Sequence, residues 1–151
     1  MLRCGMCEVD ITPALGSEIP GYFGPRIASG IKDPLYAKAL VVESDSGPGG
    51  AVALIALDAL SVPRDAVQTV RERVSRETGI DPAGIFVSAT HTHTGGPVSS
   101  GFGCTESPAY TQWAADKAAD AAIMAYRTRR EARIGFGRGH EPDIAFNRRF
   151  F

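Results

Sequence analysis

The chain has 151 residues, 44% of them hydrophobic, with 16 basic and 17 acidic side chains that leave a net charge of −1. That length and apolar content suit one globular domain with its own core. Balanced charge without a long run of one sign argues against a nucleic-acid arm or an acidic tail, and no apolar stretch reaches the length of a membrane span.

Residues 3–10 (RCGMCEVD) read as a first strand, closed by Thr12-Pro13. Cys4 and Cys7 form a C-x-x-C, but residues three apart on a strand face opposite sides, so they read as small strand residues rather than a redox pair. Three cysteines are also too few for a disulfide framework. The opening segment lacks the apolar core of a signal peptide, so the expectation is a cytoplasmic protein, or one whose true start lies upstream. Residues 16–34 form a long connection rich in Gly and Pro. Such a length inside a compact domain marks a functional or a disordered segment, and the pair Tyr22-Phe23 between Gly21 and Gly24 favours order.

LYAKALVVES (35–44) reads as the second strand. AVALIALDAL (51–60) is almost unbroken apolar, the pattern of a central strand covered on both faces, with Asp58 at its far end. Pro63 at a first helical position, Val67, Val70 and Val74 at helical spacing, and the stop at Gly79 predict a helix. GIFVSAT (84–90) is the next strand. After a loop, Ser107-Pro108 caps an alanine-rich helix running to about Tyr126. Its Ala114, Ala118, Ala121, Ala122 and Ala125 permit close packing on a sheet. The cluster YRTRREAR then reads as a solvated helix end, and EARIGFGRGH (131–140) as a further strand. The alternation predicts an α/β fold: a mixed β-sheet core flanked by helices, in a single domain over residues 1–151.

The loop after the fourth strand begins HTHTGGP, with two of the three histidines one residue apart. Imidazole is a common zinc ligand, and ligands in open α/β sheets gather at the carboxyl ends of strands. If the segment is extended, His91 and His93 point the same way into one cavity. Thr90, Thr92 and Thr94 are placed to orient the rings, and Gly95 and Gly96 to let backbone approach a ligand. Asp58 is a candidate base or a turn cap. Solvated histidines would give the same pattern, so H-x-H alone is a weak signal. His140 and Cys104 are minor candidates.

SATHTHTGG, read beside GYFG and FNRRF, resembles the neutral/alkaline, non-lysosomal ceramidase family, and its shorter bacterial members more than the best-known ones. The likeness runs in order through Asp10–Pro13, Gly21-Tyr22, GIKDPLYAKAL, ALIALDAL, the histidine strand and Asn147-Arg148. It implies an N-terminal portion of a zinc-dependent hydrolase that cleaves N-acyl sphingosine, or a related amide, into a fatty acid and an amine. It further implies His91 as metal ligand, His93 and Arg148 as catalytic groups, and Tyr22, Gly95 and Asn147 on the substrate side. The family's remaining ligands (a histidine, a glutamate and a tyrosine) and its serine lie in later segments. The expectation is therefore an incomplete domain with weak zinc binding and little activity of its own. HTHTGGPVSS and NRRF depart from the commoner HTHSGPGG and NRS, which leaves the identity of the amide or lipid substrate open. Two other readings stand on the sequence: a non-catalytic fragment or binding module that keeps the fold, and a different H-x-H metallohydrolase. The sequence carries no signal for oligomeric state.

Overall fold

A computed structural model of the chain describes residues 1–45, 50–144 and 149. Its elements are β1 (Leu2–Asp10), β2 (Tyr36–Ser44), β3 (Ala51–Leu57), α1 (Arg64–Thr78), β4 (Ile85–Ala89), α2 (Pro108–Arg127) and β5 (Arg130–Glu131). They build one five-stranded sheet in the order β4-β3-β2-β1-β5. The β3–β4 pair is parallel, with α1 in the crossover, and every other pair is antiparallel. The expected mixed α/β sandwich is therefore what forms.

Period-two alternation decides which side of the sheet is dry. Ala37, Ala39 and Val41 of β2, Ala53, Ile55 and Leu57 of β3, and Ile85 of β4 are buried, whereas their neighbours point away. Against the buried face lie Val70 and Val74 of α1 and the alanines of α2 at 114, 118, 121, 122 and 125, all buried as their spacing predicted. Ser107 caps α2 by accepting the Tyr110 N–H (3.3 Å), and Gly79 ends α1 at φ +76°. A left-handed residue closes a helix there without the cost of a Cβ. The two helices are tied by Arg73, which donates to the Asp116 carbonyl (2.7 Å) and pairs with the carboxylates of Asp116 and Asp120.

Two expectations need correction. Among the described residues, β3 is covered on one face only: Val52 and Leu54 are exposed, as are Met6 (76%) and Phe86 (59%). Met6, Leu40, Leu54 and Phe86 lie opposite one another across four strands, an apolar row on the open face. An unbroken apolar run fits a buried strand equally well with one or two covered faces, because small residues such as Ala51 and Ala53 carry the inner side. The strand expected over residues 131–140 shrinks to Arg130–Glu131, paired with Cys4 and Arg3. Glycines at 135, 137 and 139 deprive the segment of side chains to pack, and among the described residues no further strand offers a ladder. His140 is exposed there. Cys4 and Cys7 are free, as strand alternation required. Among the described residues, no helix is long and apolar enough to cross a membrane.

Close approach of α2 to β1 depends on Gly5. A Cβ at that position would overlap the Ala125 carbonyl and come within 3.0 Å of the Arg129 Cα. Gly5→Val is expected to destabilise the fold by about 3 kcal/mol or more in a urea titration. Gly135→Ala, with open space around it, should stay within about 0.5 kcal/mol of the parent.

The end of β2 is held by Glu43, whose two carboxylate oxygens receive Arg129 Nε (2.8 Å) and Nη2 (3.0 Å). This hydrogen bonding, helped by the positive charges of Arg129 and Arg3, holds the Glu43 carboxyl below its ordinary range against the opposing effect of desolvation. A depressed carboxyl stabilises the fold fully above its unfolded titration, about pH 4.3, and loses that contribution as the pH falls through its lower folded value. Acid unfolding of Glu43→Gln should therefore show a smaller loss of stability below about pH 4.3 than the parent.

Candidate functional site

β3 and β4 run parallel, so their carboxyl ends open on the same rim, Leu57 beside Ala89. β3 leads into Asp58-Ala59-Leu60 and β4 into Thr90-His91. The Thr90 N–H bonds the Leu57 carbonyl (3.0 Å), and His91 then turns at φ +61°. Left-handed backbone is uncommon outside glycine and costs of order 1–2 kcal/mol. The turn sets the His91 ring against the next segment, where Nδ1 meets the Leu60 carbonyl at 2.8 Å.

His93 is held from the other side, by the long connection between β1 and β2. Backbone bonds from Gly16 to Ala28 (2.8 Å), Ala28 to Ser17 (2.9 Å) and Ile19 to Arg26 (3.0 Å) zip that connection into a hairpin. Its tip, residues 20–25, lies on the histidine loop. Gly21 accepts from His93 Nδ1 at 2.6 Å, the Tyr22 ring meets the His93 ring edge-on at 6.0 Å, and Arg26 donates to the His93 carbonyl. Two further contacts staple the hairpin to the next loop: Phe23 on Phe102 (5.1 Å), and the Thr105 N–H on the Glu18 carboxylate.

The outcome is two exposed imidazoles, edge to face with centroids 4.9 Å apart. A carbonyl oxygen only accepts, so each neutral ring carries its proton on Nδ1 and its lone pair on Nε2, which no other described residue engages. The rings converge, but not by strand alternation as expected: the segment is a turn, and His91 is left-handed. Nor do threonines orient them. Thr92 and Thr94 bond each other (2.9 Å), and backbone carbonyls hold the rings instead.

Asp58 resolves toward structure. Its Oδ2 accepts the Tyr36 N–H (3.0 Å), while its own N–H bonds the Tyr36 carbonyl (2.9 Å), clamping β2 to the end of β3. Gly95 and Gly96 are buried. A Cβ on Gly95 would come to 3.1 Å of Ala59 Cα, and one on Gly96 would overlap the Tyr110 ring. Tyr110 in turn donates to the Ile11 carbonyl (2.6 Å), and burial pushes its phenol far above the ordinary range. Burial likewise raises the Cys104 thiol.

Beside the histidine loop lies a cavity of about 430 Å³ whose walls include Thr12, Ile19, Ile31, Leu35, Thr94 and Gly95. A larger concavity, about 720 Å³, lies over Leu40, Leu54 and Phe86 on the open sheet face, and neither histidine lines it. Tyr22 is exposed next to His93. Asn147 and Arg148 lie outside the described residues. Arg26 was not anticipated; the available signal was a basic residue four positions after Tyr22, in a connection that also carries Glu18, Lys32 and Asp33. Among the described residues, no group of three or more His, Cys, Asp or Glu side chains is placed to hold a metal ion. The histidine pair thus fits one corner of a zinc site, not a complete one.

No family model and no curated protein sequence matches the chain. Its fold does match solved structures. One is neutral ceramidase from Pseudomonas aeruginosa, at a TM-score of 0.74 and 20% identity over 85% of this chain and 22% of that one. Another is a ceramidase complexed with C2, at a TM-score of 0.68 and 22% identity over 85% of this chain and 21% of that one. The chain spans about a fifth of the length of the structures it resembles, and it shares the fold of the matched portion.

The seating of the histidine loop on α2 depends on the bare backbone at Gly96. Gly96→Ala is expected to lower stability by about 1–3 kcal/mol in a denaturant titration. Gly24→Ala, at a position with nothing within 4 Å, should not.

Proposed function

We propose that the chain carries part of the catalytic centre of a zinc-dependent amide hydrolase of the neutral ceramidase type, and that residues 1–151 form one portion of a larger catalytic domain. The observation that carries the reading is the pair of imidazoles anchored through Nδ1 on Leu60 and Gly21 at the carboxyl rim of the parallel strands, with neither Nε2 engaged among the described residues. The shared fold with neutral ceramidase supports it.

In this reading His91 is a metal ligand, and the remaining ligands come from outside the described residues. Bound zinc would polarise an amide carbonyl and lower the pKa of a coordinated water from about 16 toward about 7. The chain's own residues do the rest. His93, neutral and fixed by Gly21, offers its Nε2 to take a proton from the attacking water and return it to the leaving amine. One water is consumed, the C–N bond breaks, and a carboxylate and an amine leave. Tyr22 and the wall at Thr94-Gly95 hold the acyl or amine substituent of a small-molecule amide or lipid. Arg148, with Asn147 beside it, steadies the negative oxygen; both assignments rest on the resemblance of FNRRF.

A second reading is a module that keeps the fold without chemistry. The lack of a three-ligand cluster among the described residues favours it. Zinc content after dialysis separates the two. The full-length protein should retain about one zinc per chain and hydrolyse an N-acyl sphingosine or a simpler N-acyl amine. His91→Ala should lose both, with turnover falling at least about 100-fold. Retention of metal and rate by His91→Ala would falsify the assignment.

A further inference from the structure

Arg26 of the 16–28 hairpin reaches the main chain of the histidine loop. Its Nη2 donates to the Pro20 carbonyl (3.3 Å) and to the His93 carbonyl, and its guanidinium carbon lies over the Tyr22 ring, 3.8 Å from the centroid. Its Nε is buried and has no acceptor among the described residues. The engaged donor, Nη2, meets two backbone carbonyls and the guanidinium covers an aromatic ring, contacts that tie the hairpin tip to the histidine loop.

From this geometry we infer that Arg26 is a positioning residue: it fixes His93 so that Gly21 can select one tautomer of the imidazole. The hairpin tip grips His93 at both ends. Arg26 takes the main-chain carbonyl, and the Gly21 carbonyl takes the ring through Nδ1. Gly21 sits at φ +99° with no side chain, and a Cβ there would lie 2.8 Å from His93 Nδ1, so the ring reaches the carbonyl only because that space is bare. Without the Arg26 arm, the tip and the histidine loop are free to slide by the fraction of an ångström that decides a hydrogen bond. Lysine keeps the charge, but it cannot stack flat on Tyr22 while bridging two carbonyls. An arginine held in place with one buried N–H unpaired is costly by itself, and the two Nη2 hydrogen bonds and the Tyr22 contact offset that cost.

The inference rests on the reading of His93 as a group that works through Nε2, but its test needs neither metal nor turnover. Long-range proton–nitrogen correlation spectra of the imidazoles, recorded above neutral pH on the full chain, report the tautomer of each ring. In the parent, both rings should be single Nδ1–H forms. In Arg26→Lys and Arg26→Gln, His93 should become a mixture of Nδ1–H and Nε2–H forms, while His91, anchored on Leu60, keeps its single form. A single His93 tautomer in both variants overturns the inference, as does loss of the His91 form alongside it, since Arg26 would then be a residue of the general fold. Zinc retention in the same variants reports separately on the reading of His91.

Discussion

Two backbone carbonyls, those of Leu60 and Gly21, determine what the histidine pair can do. An imidazole on a flexible loop samples both tautomers and many orientations. A ring whose Nδ1 lies against a fixed carbonyl is held to one face and one lone pair. The anchors lie 31 and 72 residues from the histidines they hold, so neither ring can be set before the sheet is built. Leu60 is in place because β3 and β4 are parallel neighbours whose ends share a rim. Gly21 is in place because the 16–28 hairpin folds back from β1 across the opening. The left-handed turn at His91 is the local expense of pointing its ring at Leu60 rather than along the strand.

The sheet that supports this rim is asymmetric. On one side alanines and branched residues meet α1 and α2, and the approach is close enough that Gly5 must lack a side chain. On the other side Met6, Leu40, Leu54 and Phe86 form a row in register across β1 to β4. The next row toward the site is Glu8, Lys38, Ala56 and Ser88, more polar than the first. The open face thus grades from apolar to polar as it nears the end that carries the histidines.

Much of this architecture was legible from residue patterns. Helix α1 announced itself by Pro63, the Val70–Val74 spacing and Gly79; helix α2 by Ser107-Pro108 and its alanines. In both cases local chemistry and tertiary packing agree. The pattern failed where it was degenerate. AVALIAL reads alike for a strand covered once or twice, since alanine fills an inner position while Val52 and Leu54 look outward. The segment 131–140 alternates well enough to suggest a strand. Alternation says nothing about whether a partner strand exists, and glycines at 135, 137 and 139 weaken the case.

For the site, the sequence showed the rings but not their anchors. His91 and His93 stand out as residue types, whereas a carbonyl oxygen is present at every position and marks none. The expected role of the threonines came from assigning the orienting contacts to side chains, the only groups a sequence distinguishes. What the chain does encode is the absence of side chains where backbone must come close. Gly21 admits the His93 ring, Gly96 admits Tyr110, and Gly5 admits α2. Arg26 is the complementary case, a side chain whose work is done on main-chain oxygens. A site assembled in this way is specified by where the fold brings backbone and ring together, which is why its glycines carry as much of the design as its histidines.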